Sequence, residues 1–107
     1  MSETAIATQF VAISRFRVSN GMERSVYDAF IARPRMVDDV SGFIRMDVLC
    51  PQADAAEFWL VTVWQDEEAF RSWHTSHLYR DSHAGIPKGI KLDAAVTELR
   101  TFVRIPT

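Results

Sequence analysis

The chain has 107 residues, 48% of them apolar, with 14 acids against 12 bases and a formal net charge of −2. That length predicts one domain over residues 1–107, with a single core and space for about one pocket. Dispersed and nearly balanced charge argues against a polyanion-binding face, so nucleic acid is not an expected partner.

Cys50 is the only cysteine, which rules out an internal disulfide and a thiolate-based zinc cluster and suits a reducing cytosol. The opening MSETAIATQF has no basic segment followed by an apolar run, so no secretory signal is expected. No apolar stretch approaches the ~18 residues that span a bilayer. The expectation is a small cytoplasmic domain without a membrane partner.

In chain order, Thr8 to Val18 alternates Phe10, Ala12, Ser14 and Phe16 with Val11, Ile13, Arg15 and Arg17, which predicts a strand. Ser19-Asn20-Gly21 punctuates it. From Met22 the spacing of Met22, Val26, Phe30 and Arg33 is helical, and Pro34 predicts a break or restart. Ser41-Gly42 predicts a turn before a second strand, FIRMDVLC. Pro51 to Ala55 reads as a hairpin loop, and EFWLVTVW, 57 to 64, is the most strand-like run. Asp66 is a candidate N-cap, with Glu67 and Glu68 in the first turn of a second helix. Ala69, Phe70, Trp73 and His77 share one face of that helix, which is expected to run to the loop containing Gly85, Pro87 and Gly89. A last strand is expected from about Ala94 to Ile105.

The order β-α-β-β-α-β predicts an α+β, ferredoxin-like fold with a four-stranded antiparallel sheet and both helices on one face. In residues 57 to 64 both alternating sets are mainly apolar: Phe58, Leu60 and Trp64 on one side, Trp59, Val61 and Val63 on the other. Two helices cover one face only, and exposing each large side chain forfeits about 1.5–3 kcal/mol. A second copy packed sheet to sheet, giving a homodimer of the dimeric α/β-barrel type, is therefore expected.

All three histidines lie in WHTSHLYRDSH, 73 to 83. Three readings compete. His74, His77 and Asp81 could converge on zinc, although no HExxH motif is present. One histidine could act as a general base. All three could be solvated residues near a helix C-terminus, where the dipole favours a cationic imidazole.

The segment TVWQDEEAFRSWHTSHLYRDSH, 62 to 83, resembles the IsdG-type haem-degrading monooxygenases, small dimeric members of the antibiotic-biosynthesis-monooxygenase superfamily. It carries a strand-ending T-V-W, an A-F pair, a tryptophan three residues after that phenylalanine, and a histidine ten residues beyond the tryptophan. FVAISRF, 10 to 16, resembles that family's first strand, Phe30-Ile31-Ala32-Arg33 its F-x-x-R, and Ser41-Gly42-Phe43 its turn into the second strand. The resemblance implies His83 as proximal ligand to haem iron and Trp73 as the bulky residue against the porphyrin. It also implies Phe30 packing beside the pocket and Arg33 pairing with a propionate. Ser14 stands where the family has a distal asparagine; a hydroxyl still donates one hydrogen bond, with shorter reach. His77, on the face of Trp73, is the alternative ligand.

The implied activity is oxidative opening of haem, both cofactor and substrate, with O2 and electrons from a reductase or small reductant, releasing iron. The alternatives are a cofactor-free monooxygenase acting on a quinol or anthrone, with Trp59, Trp64 or Trp73 orienting the substrate, and a non-enzymatic haem-binding dimer.

Overall fold

The computed structural model describes residues 9–33, 36–76 and 87–107. Four strands, β1 (Phe10–Arg17), β2 (Phe43–Leu49), β3 (Glu57–Trp64) and β4 (Glu98–Val103), form one antiparallel sheet in the order β2-β3-β1-β4. Two helices, α1 (Glu23–Ile31) and α2 (Glu67–His74), and a 3-10 turn (Met36–Asp39) complete the ferredoxin-like order. Among the described residues no helix is long and apolar enough to cross a membrane.

The alternation in β1 and β3 sets the register. Phe10 lies opposite Trp64, Ser14 opposite Leu60 and Phe16 opposite Phe58, so the larger apolar set of each strand faces the helices. Gly42 turns the chain into β2 with φ +85°, a left-handed conformation that glycine adopts without a side-chain clash. An extra residue at Ile44 shifts the β2–β3 register between Phe43 and Arg45. Asp66 caps α2 as expected, its Oδ1 accepting the Ala69 N–H at 2.9 Å.

Two element ends differ from expectation. The second helix stops at His74 rather than continuing to the glycine loop. Its last carbonyls are taken by hydroxyls, Thr75 Oγ1 donating to Arg71 O at 2.8 Å and Ser76 Oγ to Trp73 O at 2.7 Å. The last strand begins at Glu98 because Asp93 organises a turn first. Its carbonyl accepts the Val96 and Thr97 N–H groups, and its side chain accepts that of Ala95. After α1 the chain resumes as the 3-10 turn; Pro34 lies outside the described residues.

The expectation of a dimeric α/β-barrel is corrected. The sheet is open, with β2 and β4 as its two edges. The argument for a second copy was the apolar outer set of β3, and side chains of this same chain cover part of it. The Arg15 guanidinium lies over the Trp59 ring, 5.2 Å from its centroid, and Arg100 lies 5.5 Å from Phe102. Trp59 Nε1 and Arg15 Nε both donate to Glu57 Oε2, at 2.6 and 2.9 Å. Val63 is already buried within the single chain. Arginine stems and heads thus shield apolar surface that a pattern of hydrophobic letters leaves bare.

Candidate functional site: an apolar row between two cores

Among the described residues, the helix-facing side of the sheet holds two separate buried clusters. One joins Phe10, Ala12, Val37, Trp64 and Trp73, with Val40, Phe43, Ala69 and Phe70 packed against it. The other joins Val18, Val26 and Phe58, with Phe16, Met22, Phe30, Leu60 and Ile90 around it. Helix α2 therefore seats on the Phe10/Trp64 end of the sheet and α1 on the Phe16/Phe58 end. The two anchor points on β1 are six residues apart, roughly 20 Å at a strand's rise per residue.

Between them, one row across the sheet reads Val48, Leu60, Ser14, Leu99. Val48 and Leu99 are exposed although apolar. Ser14 is half-buried, and its hydroxyl bonds to no other described residue. The row forms an apolar floor between the two clusters, with one uncommitted hydroxyl at its centre.

Of the residues expected to form the site, Ser14, Phe30, Arg33 and Trp73 are among those described. Phe30 packs against the second cluster, its ring 5.8 Å from that of Phe58 and 6.4 Å from that of Phe16. Trp73 belongs to the first and is only 8% exposed. Arg33 lies three residues beyond Phe30, where the chain crosses from one cluster to the other. Both of its terminal nitrogens reach Asp38 Oδ1 at 3.5 Å. His83, His77 and Asp81 lie outside the described residues. His74 is exposed at the end of α2, its imidazole stacked on Phe70 at 5.2 Å. Among the described residues no group of three or more His, Cys, Asp or Glu could hold a metal ion.

Sequence reasoning missed Asp38, Thr62 and the apolar floor. Asp38 is five residues from Arg33, a separation that no helical or strand period flags. Thr62 interrupts the apolar set of β3, and its role is visible only with the strands in register. It accepts the Trp64 indole N–H at 2.9 Å and donates to Ala12 O at 3.2 Å.

The perturbed acids, Asp54 and Glu57, pair with Arg17 and Arg15 on the outer face. The Arg17 hydrogen bond, with that of the Ala56 N–H, holds the Asp54 carboxyl below its ordinary 3.8. Hydrogen bonds from Arg15 and Trp59 hold Glu57 below its ordinary 4.5.

A four-stranded antiparallel sheet with its two helices packed on one face defines the ferredoxin-like class of α+β proteins. Within that class the chain belongs to the antibiotic biosynthesis monooxygenase family, whose model matches residues 9–85. The fold is thus that of a monooxygenase superfamily. It is similar to SnoaB, a cofactor-independent oxygenase from Streptomyces nogalater, at 19% identity and a TM-score of 0.75, covering 94% of this chain and 97% of that one. It is also similar to MhuD, a haem degrader from Mycobacterium tuberculosis crystallised with two haems in its active site. There the identity is 23% and the TM-score 0.73, over 92% and 97% of the two chains. A third similar structure, a family member from Chloroflexus aurantiacus, shares 17% identity at a TM-score of 0.68, over 94% and 96%. The superfamily therefore includes both haem-degrading and cofactor-independent oxygenases.

Proposed function

We propose that the chain is a haem-degrading monooxygenase acting in the cytoplasm with O2 and an external electron donor. The observation that carries this reading is the apolar Val48-Leu60-Ser14-Leu99 row on a chain of the antibiotic biosynthesis monooxygenase family. A porphyrin is a flat, largely apolar ring, and it matches such a surface. One axial imidazole suffices to hold its iron, so no cluster of ligands is required.

In this reading His83 supplies the axial nitrogen, Arg33 pairs with a ligand carboxylate, and Phe30 and Trp73 bound the ring. Ser14, at the centre of the floor, donates a hydrogen bond to a polar group brought over it. Bound haem supplies the iron at which O2 and electrons meet, and its own ring is the substrate oxidised. The apolar floor excludes water from that reaction and strengthens the single hydroxyl contact.

Haemin added to the protein should give a saturable Soret shift that His83→Ala abolishes, and ascorbate under air should bleach it. A titration without saturation would end the haem reading. A shift that survives reduction under air would indicate a haem binder without oxygenase activity.

The second reading, a cofactor-free oxygenase of a quinol or anthrone, draws on the uncommitted Ser14 hydroxyl, which suits a phenolic oxygen. In that case a quinol is oxygenated without haemin, at a rate His83→Ala leaves unchanged.

A further inference from the structure

The stretch of chain ahead of β4 is strapped to the end of β1. Leu92 bridges Val18, the Asp93 N–H donates to Arg17 O at 2.8 Å, and the Ser19 N–H donates to Lys91 O at 2.8 Å. The Ser19 hydroxyl donates to that same carbonyl at 3.2 Å. Ile90 packs against the Val18, Val26 and Phe58 cluster. At Gly89 the tie changes character, for here a side-chain amide makes it: Asn20 Nδ2 donates to Gly89 O at 2.7 Å. Among the described residues this is the one side-chain hydrogen bond made to residues 87–90.

That amide stands in the pair Asn20-Gly21, and the second residue makes it chemically vulnerable. A side chain on the residue after an asparagine shields the backbone nitrogen from the asparagine's own amide carbon; glycine has none. Gly21 is exposed, and its N–H bonds to no other described residue. Nothing lies within 4 Å of where its Cβ would stand. Asn20 is exposed too, so water and hydroxide reach both groups.

We propose that Asn20-Gly21 is a site of spontaneous covalent modification, and that the modification undoes the strap at Gly89. The Gly21 nitrogen, giving its proton to hydroxide, attacks the Asn20 side-chain carbonyl carbon. A new C–N bond forms, the bond to the amide nitrogen breaks, and ammonia leaves with a proton taken from water. Water then opens the resulting five-membered imide to aspartate or isoaspartate. One water is consumed and one ammonia released, with no oxidant, reductant or second protein. Both products replace the amide with a carboxylate, which cannot donate to the Gly89 carbonyl. Ser19 keeps its hold on Lys91, so the loosening is confined to the Gly89 end of the strap.

The test ages folded wild type and Gly21→Ala side by side in mildly alkaline buffer, then follows residue 20 by peptide mass and isoaspartate assay. Asn20→Asp and Asn20→Ala remove the donor directly, and thermal unfolding checks that each variant is folded. Wild type should accumulate acid at residue 20, while Gly21→Ala should remain largely amide. Limited trypsin then reads the strap through Lys88 and Lys91, both exposed. Cleavage after Lys88 should rise about 3–10-fold in aged wild type, Asn20→Asp and Asn20→Ala, as expected for the loss of one hydrogen bond. Cleavage after Lys91 should change little. Conversion no greater than in Gly21→Ala overturns the site. Unchanged Lys88 cleavage in the aged protein and both variants overturns the clasp, as does an equal rise at Lys91. None of these measurements involves haemin, so their outcome is independent of the haem reading.

Discussion

Trp64 and Thr62, two residues apart on β3, are joined side chain to side chain: the indole Nε1 donates to the threonine Oγ1 at 2.9 Å. Trp64 is completely buried, so this bond satisfies its one polar atom where water cannot. Thr62 in turn donates to the Ala12 carbonyl across the strand at 3.2 Å. Thr62→Val keeps the β-branched shape and deletes the acceptor, leaving a buried N–H unpaired. The expected loss is about 1–3 kcal/mol in urea unfolding, with Thr62→Ser losing distinctly less.

Gly42 should tolerate substitution far less than Gly21, although both have positive φ, +85° and +80°. A Cβ at Gly42 would stand 2.5 Å from Ala69 Cβ, whereas one at Gly21 meets nothing within 4 Å. Gly21→Ala should cost about 1 kcal/mol, from backbone conformation alone. Gly42→Ala adds a clash with α2 and should cost about 2–4 kcal/mol. Combining it with Ala69→Gly should relieve the steric share and leave the conformational one.

Acid should destabilise the protein through Asp54 and Glu57. Both carboxyls titrate lower in the folded chain than when unfolded, held down first by hydrogen bonds from Arg17 and Arg15. Their contribution is therefore present above the unfolded values of 3.8 and 4.5. It is lost as pH falls through the lower folded values. Melting temperature should stay level from neutral pH down to about pH 5 and then decline. Asp54→Asn and Glu57→Gln should each start lower at neutral pH and decline less steeply; an unchanged slope in both would contradict these pairings.

Ser14→Ala should separate binding from turnover. The hydroxyl bonds to no other described residue, so its loss leaves the fold undisturbed, and melting temperature should hold. A single neutral hydrogen bond to a ligand or reacting group corresponds to about 3–10-fold. Haemin affinity should be unaltered while the rate of Soret bleaching falls by that factor.

The strand and helix order was legible because each element advertises one period: alternation in residues 10–17 and 57–64, and three-to-four spacing at Val26–Phe30 and Phe70–Trp73. Gly21, Gly42 and Asp66 marked their boundaries through local conformation, which needs no tertiary knowledge. What misled was the outer set of β3. Trp59, Val61 and Val63 read as surface needing a partner, because the letters do not show Arg15 reaching across strands to lie over an indole. The end of α2 was misjudged for a similar reason, since Thr75 and Ser76 continue a plausible helix until their hydroxyls turn back on it. Ser14, Phe30 and Trp73 stood out individually in the sequence, through the family resemblance. Asp38 escaped notice because its relation to Arg33 exists only once the chain has doubled back.

The separation of the two clusters has a mechanical consequence. Among the described residues no side chain belongs to both, so each helix is glued to its own end of a hydrogen-bonded plate, and the packing that fastens one is separate from the packing that fastens the other.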